Sequence, residues 1–469
     1  MTVKHFLTVS AFAVLAFPVI ASAQTHDASI ANHQPHYYDA TEFGIDPDSL
    51  TFTKDIEPIL QRSCQNCHSP NGGAPMPLIS YDQVQPWAPV IKYRTAIRDR
   101  IDAMPPFYAE KDIGITRFKD DYSLSDEELA VIQAWVDNGA PQGNPADSPV
   151  PLNFDITGAW KLGEPELVLR GPDFTTPAIG PDWWGDIGLV PTGLTEDRYV
   201  KSLEIREFND VPTGGDVSTV GGRFIFHHLT YTSGVFDENG NYSEAANSTR
   251  WPIHEVGRNA DIFPEKAGRL LAANSALHLG AAHMHSNGRE TTGHLEFGLT
   301  FFPVGYEPEY NRRGPLTGNG IDIDVAANQA NQEVHNYVIL QDHIKIIAFE
   351  PHLHAPGVRM CMEAIWGHNQ FTLICVGYDH NWVKQYVFED DAAPLLPKGT
   401  ILHSIGFLDT TNANPNLADS RNWSGGGRRS ITNMFIDLGY SVRLTEEQFQ
   451  AEMAVRRANM KDKNEYDVG

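Results

Sequence analysis

The chain has 469 residues, too many for one ordinary core, with a formal net charge of −25 and a mean hydropathy of −0.33. So acidic a balance argues against nucleic acid or an anionic membrane surface as partner. Beyond the first 23 residues no apolar run reaches the roughly 20 residues that a membrane-spanning helix needs, so no membrane span is expected.

The N-terminus reads MTVKHFLTVSAFAVLAFPVIASAQT. Lys4, an apolar run from Phe6 to Ile20 and the small residues Ala21, Ser22 and Ala23 form a secretory signal peptide over 1–23, which implies a periplasmic mature protein. A polar, flexible leader is expected over 24–48. In DIEPILQRSCQNCH, Ile56, Ile59 and Leu60 have helical spacing and lead into Cys64-Gln-Asn-Cys67-His68. C-x-x-C-H is the pattern of covalent c-type haem attachment, in which two thioethers fix the porphyrin and the histidine becomes an axial iron ligand. Met76 and Met104 are both available as the sixth ligand. Met104 is the better placed, following the expected helical segment YRTAIRDRIDA and held by Pro105 and Pro106. A Met/His pair raises the reduction potential and suits electron transfer. Ser125 and Glu128 make a capping box for a helix carrying Leu129, Ile132, Trp135 and Val136 on one face and stopping at Gly139. An all-α c-type cytochrome domain over 49–142 and a proline-rich linker over 143–153 are therefore expected.

From there on, short alternating runs such as RFIFHHLTYTSGVF, HLEFGLTFFPV and SITNMFIDLGYSV dominate. They predict two all-β antiparallel sandwiches, over 154–310 and 320–469, joined by an irregular stretch and closed by a helix over 444–460. Cys361 and Cys375 flank a hairpin nearly symmetrically about His368, and in an oxidising compartment a disulfide is expected.

FEPHLHAPG places His352 and His354 two residues apart. On a strand both side chains leave the same face and can converge on one ion. His227 and His228 are adjacent, so on a regular strand they would point to opposite faces. Joint ligation requires a bulge or a strand end. His283 and His285 are equally plausible as ligands on chemistry alone. Met434 shares a strand face with Ile436 and Leu438 and, judged by itself, reads as core packing. The remaining histidines, including His254, His278, His294, His335 and His403, read as structural or surface residues.

An ordered series resembles the copper type II monooxygenases, which include peptidylglycine α-hydroxylating and dopamine β-monooxygenase, and resembles more closely still the bacterial forms fused to a c-type cytochrome. The stretches are CQNCHSPNGGAP, MPPFYA, VPTGLTEDRYVKSLEIR, FHHLTY, HMHSNGRETT, PHLHAPGVRMCMEA, YDHNWVKQYVF, LPKGT and TNANPN. The resemblance implies two jelly-roll domains, each with one copper. His227, His228 and His283 would hold the electron-relaying ion. His352, His354 and Met434 would hold the ion that binds and activates dioxygen. His283 is preferred over His285 because its distance to Gly288 matches the family's H-x-x-x-x-G. Two departures stand near Met434: Thr432-Asn433 replaces the usual Asp-Glu, and SGGGRRS replaces a less glycine-rich stretch. The implied activity is hydroxylation of a C–H bond of a small organic substrate by O2. Electrons would come through the haem or from an external donor (ascorbate, a quinol-linked source or another cytochrome). The alternatives are a non-catalytic exported cytochrome or copper-binding protein, and a copper enzyme that reduces oxygen species without hydroxylation.

Overall fold

The computed structural model describes residues 27–463 except 70–73, 75, 155–159, 213–222, 245–248, 256–259, 315–316, 319–322, 383, 418 and 428–431. The expected signal peptide lies outside the described residues. Antiparallel sheets packed as sandwiches make up most of the molecule, with few helices. Among the described residues no helix is long and apolar enough to cross a membrane.

Four helices gather near the N-terminus: α1 (Glu57–Ser63), α2 (Tyr81–Val84), α3 (Ala88–Ala96) and α4 (Asp126–Asp137). The Ser125/Glu128 capping box closes reciprocally at the start of α4, and Leu129, Ile132 and Trp135 are buried against Phe52 and Leu60. Arg62 on α1 pairs with Glu128 at 2.6 Å, so the residue that caps α4 also ties it to α1.

Three expectations for this region need correction. The helix foreseen through 103 stops at Ala96, because Arg98 and Asp102 take left-handed backbone with φ of 66° and 71°, while the Arg98 guanidinium reaches the Leu124 carbonyl at 2.8 Å. The segment 49–142 is not all helical: strand β1 (Ala109–Gly114) leaves it and joins the C-terminal sheet. The leader is not free from residue 27 on. Ala28 is buried against Val358, Cys361, Cys375 and Phe407, and its N–H donates to Asn331 at 2.8 Å. The N–H groups of His36 and Tyr38 donate to the Ala96 carbonyl and the Gln133 side chain, both at 2.8 Å. Backbone donors with fixed partners at both ends hold this polar segment in place.

The first sandwich is built from β2 (Trp183–Gly185), β3 (Arg198–Asn209), β4 (Phe226–Phe236), β5 (Ser275–Met284) and β6 (Thr291–Phe301), with shorter edge strands. β4, β5 and β2 lie side by side in one sheet, and β3 pairs with β6 in the other. Alternation sets the faces: Leu295, Phe297, Leu299 and Phe301 of β6 point inward to meet Leu229, Tyr231, Leu277 and Leu279 of the opposing sheet.

The second sandwich uses β7 (Gln332–Ile339), β8 (His343–Phe349), β9 (Pro351–Leu353), β10 (Gly357–Trp366), β11 (Asn369–Gly377), β12 (Ile401–Leu408), β13 (Phe435–Asp437) and β14 (Tyr440–Leu444). One sheet runs β1-β11-β10-β12-β7, and β14 pairs with β8 in the facing sheet. Cys361 and Cys375 sit directly opposite one another in the β10–β11 hairpin and are joined by a disulfide. The terminal helix α5 spans Glu446–Lys463 and starts with a Thr445/Gln448 capping box.

β1 is fastened to this sheet by charge. Glu110 meets Arg359 of β10 at 2.5 and 2.9 Å, both side chains being 3% exposed. Removing Arg359 leaves the buried Glu110 carboxylate with its longer contact to the Arg100 guanidinium at 3.5 Å, and an incompletely paired buried charge is costly. Arg359→Met is therefore expected to lower stability by about 3–5 kcal/mol in chemical denaturation. Arg359→Met combined with Glu110→Leu is expected to recover a large part of that loss.

Candidate metal centres and haem-attachment segment

The adjacency problem posed by His227 and His228 is solved by a β-bulge. In the β4–β5 ladder His228 lies opposite His283, whereas Met284 lies opposite Phe226, so His227 is the extra residue. A bulge bends the strand and re-aims the side chain it carries. The amides of Ile225 and Phe226, next to the bulge, donate to Glu207 of β3 at 2.9 and 3.0 Å. Burial pushes the Glu207 carboxyl up to about 7, against the opposing effect of these donors.

The outcome is that one nitrogen from each of His227, His228 and His283 falls within 4.8 Å of the others. Nδ1 of His228 is 3.3 Å from Nδ1 of His227 and 3.4 Å from Nδ1 of His283. Two nitrogens bound at about 2.0–2.1 Å to one tetrahedral ion would stand about 3.3–3.4 Å apart. The residues therefore fit a metal. Burial lowers the pKa of His227 to about 3 and that of His228 well below its usual range, so both imidazoles are neutral, as ligands must be. His283 Nε2 donates to Asp182 at 2.8 Å, which fixes the tautomer that leaves Nδ1 as acceptor. Trp184 of β2, opposite His283 in register, stacks on its ring at 3.9 Å and 9°. His285 lies outside this nitrogen cluster, its ring centroid 5.5 Å from that of His227.

The second group forms on β9 and β13. Leu353 pairs with Phe435 and His352 with Ile436. Leu353 and Phe435 are both in the core, so His352, and His354 just past the strand end, lie on the opposite face, while Met434 immediately precedes β13, one position beyond the Leu353–Phe435 pair. Met434 is half-buried. The His352 and His354 ring centroids are 5.4 Å apart, and His354 Nδ1 donates to the Thr432 carbonyl at 3.1 Å. His352 Nδ1 is buried with no hydrogen-bond partner, and burial lowers its pKa to about 3. An orphaned imidazole nitrogen at such a place fits a ligand to an ion. Part of the glycine-rich stretch before Met434 lies outside the described residues. His228 of the first group is close enough to His352 of the second for their charges to interact.

In CQNCH, Cys64 caps α1, and the N–H groups of Cys67 and His68 return to its carbonyl at 3.1 and 2.9 Å, so one turn carries all three side chains. His68 Nδ1 donates to the Met76 carbonyl at 3.0 Å and leaves Nε2 free for iron. Burial pushes the Cys64 thiol up to about 12 and raises that of Cys67. A redox-active CxxC needs the reverse, which favours a structural or haem-bearing pair. Met76 packs on the same apolar cluster as Cys64, whereas Met104 lines a separate cavity of about 250 Å³ with His36, Tyr38 and Leu124.

Asp182 and Trp184 were not foreseen, since nothing in DWWG marks them except the fold that brings β2 beside β5. Of the other histidines, His278 sits between Asp186 and Glu244 at 2.8 and 2.7 Å, and His403 bonds Glu363 at 2.8 Å. His33, His36 and Asp99 also cluster, but Asp99 is paired with Arg100 at 2.9 Å and His33 Nε2 with the Ile97 carbonyl at 2.7 Å.

No family model matches the chain, and no curated protein matches it. Among solved structures, it is similar to the cowpea mosaic virus top component, a naturally occurring empty particle, at 9% identity over 62% of this chain and 94% of that one, with a TM-score of 0.26. The infectious bursal disease virus Gt strain is similar at 10% identity over 64% and 74%, with a TM-score of 0.16. Likeness at this level carries no argument.

The Asp182–His283 contact has a measurable consequence. Asp182→Ala is expected to weaken metal binding at the first centre about 10–100-fold while leaving the fold intact, read by titration with copper(I) against a competing chelator.

Proposed function

We propose that this protein is an exported dicopper monooxygenase with its own c-type haem, each sandwich being a jelly roll that holds one ion. The observation that carries the reading is a pair of histidine groups, one on each sandwich: a bulge-made triad, and an HxH whose strand β9 pairs with β13, the strand that Met434 immediately precedes. Copper, held by His227, His228 and His283 in one centre and by His352, His354 and Met434 in the other, supplies one-electron transfer and dioxygen activation when bound. The haem, held through Cys64, Cys67 and His68, supplies electrons.

The protein's own residues prepare these centres. Asp182 fixes the His283 tautomer, Glu207 holds the bulge, and the Thr432 carbonyl orients the His354 ring. Imidazole serves both copper oxidation states, while the Met434 thioether would favour Cu(I). Asn66 of the CQNCH turn borders a cavity of about 1680 Å³ that both sandwiches line through Phe301 and Lys384, which brings the haem segment to their shared boundary. The substrate is a small organic molecule with an activatable C–H bond.

Purified holoprotein is expected to contain two coppers per chain and one haem that resists acid-acetone extraction. Loading that saturates at one copper, or an extractable haem, contradicts the reading. Met434→Ile preserves apolar volume at a cost under about 1.5 kcal/mol, so the fold, the haem and the first copper should survive while Cu(I) affinity at the second centre and oxygen consumption fall. Equal oxygen consumption in Met434→Ile favours a passive copper carrier.

The haem's sixth ligand separates in a potentiometric titration. A methionine ligand raises the potential, so replacing the one that ligates is expected to lower it: Met104→Ala tests the residue favoured by sequence, and a drop in Met104→Ala but not in Met76→Ala assigns it. The opposite pattern assigns Met76, the thioether on the Cys64 side.

A further inference from the structure

A third group of ligand-type side chains lies away from both candidate centres. His33 and His36 belong to the leader, in the stretch HQPH, and Asp99 to the turn after α3. One ligand atom from each of the three lies within 4.8 Å of the others, the limit that also holds the first triad. A tetrahedral ion bound at about 2.0–2.2 Å draws its ligand atoms to about 3.3–3.5 Å of one another, so these side chains close by at most about 1.5 Å.

The backbone holds all three residues in place. His33 closes a short helical turn, its N–H donating to the Ile30 carbonyl at 3.3 Å. The two peptide groups of His36 are both engaged: its N–H donates to the Ala96 carbonyl, and its carbonyl accepts from the Gln133 side chain, each at 2.8 Å. The Asp99 carbonyl packs on Gly377 of β11 so closely that a Cβ there would stand 1.7 Å from its oxygen, an approach only glycine admits. The contacts of the side chains leave a ligand atom on each. His33 Nε2 donates to the Ile97 carbonyl at 2.7 Å, so Nδ1 is the acceptor, and burial lowers the pKa of this ring. Arg100 takes Oδ2 of Asp99 at 2.9 Å and leaves Oδ1. Ligating imidazoles and carboxylates ordinarily carry partners of this kind, which orient them. His36 is exposed, its ring centroid 5.8 Å from that of His33.

We propose that His33, His36 and Asp99 bind a divalent ion of the zinc class, with a fourth position open to water. Two imidazoles and one carboxylate are a donor set that zinc takes, and no soft sulfur is present to draw Cu(I). The ion ties the leader to the turn after α3. The site stands apart from the dicopper reading and does not rest on it.

The test uses the full-length holoprotein and two variants, His33→Gln and His36→Gln, so that a folding failure of one leaves the other. Each is saturated with copper(I) under anaerobic conditions and then titrated with zinc(II). The parent is expected to take up one zinc per chain more than either variant, with copper and haem contents equal in all three. X-ray absorption at the zinc edge of the copper-saturated parent should show two imidazoles, with oxygen in the remaining positions. Equal zinc uptake by the parent and both variants, or zinc bound by three imidazoles, overturns the inference. A parent that saturates at one copper contradicts the dicopper reading, and the difference in zinc between parent and variants still decides this one.

Discussion

One extra residue in one strand decides the first centre. Without the bulge at His227, adjacent histidines would leave β4 on opposite faces, and only one would reach His283 across the ladder. With it, the His228 Nδ1 stands at the edge spacing of a tetrahedral ion from the Nδ1 atoms of both His227 and His283. A bulge disrupts local pairing, so it persists only where neighbours satisfy what it displaces. Glu207 does this by taking the amides beside the bulge, and Asn209 donates to the same carboxylate at 2.7 Å. The core behind the site, with Phe226, Leu229 and Tyr231 fully buried, leaves the strand no alternative phase.

The second group depends on the first for its meaning. An HxH that starts on β9 and ends one residue past it, with a methionine just before β13, is an ordinary strand-end arrangement until a metal-shaped triad lies close by. The helical segment is tied to the second sandwich along two paths. β1 and the residues from Asp27 to Tyr38 run from the helical segment into the C-terminal sheet, fixed by the Glu110–Arg359 pair and by Ala28 under the disulfide hairpin. The N-terminal segment thus acts as a brace as well as a candidate electron carrier.

Much of this was legible in the sequence. Alternation in HLEFGLTFF gave β6 and its inward face, the Ser125/Glu128 pair gave α4, and the near-symmetry of Cys361 and Cys375 about His368 gave the hairpin. Even the bulge left a trace: the buried positions Phe226, Leu229, Tyr231 and Ser233 run at spacings of three, then two, so the phase slips at the two histidines. What stayed hidden depends on long-range pairing. Asp182 and Trp184 reach the first centre only because β2 is placed there by the sheet, and β1 reads as a polar stretch because its partner strand is distant in sequence. The leader read as flexible for the same reason, its backbone donors being satisfied by residues such as Asn331, hundreds of positions away.

Anomalous diffraction from copper-loaded crystals tests the central claim most directly. The account predicts one copper peak bounded by the Nδ1 atoms of His227, His228 and His283, with His227 still bulged, and a second peak beside His352 and His354. Copper bound through only one of the adjacent pair, His227 or His228, with β4 in regular register, would contradict it.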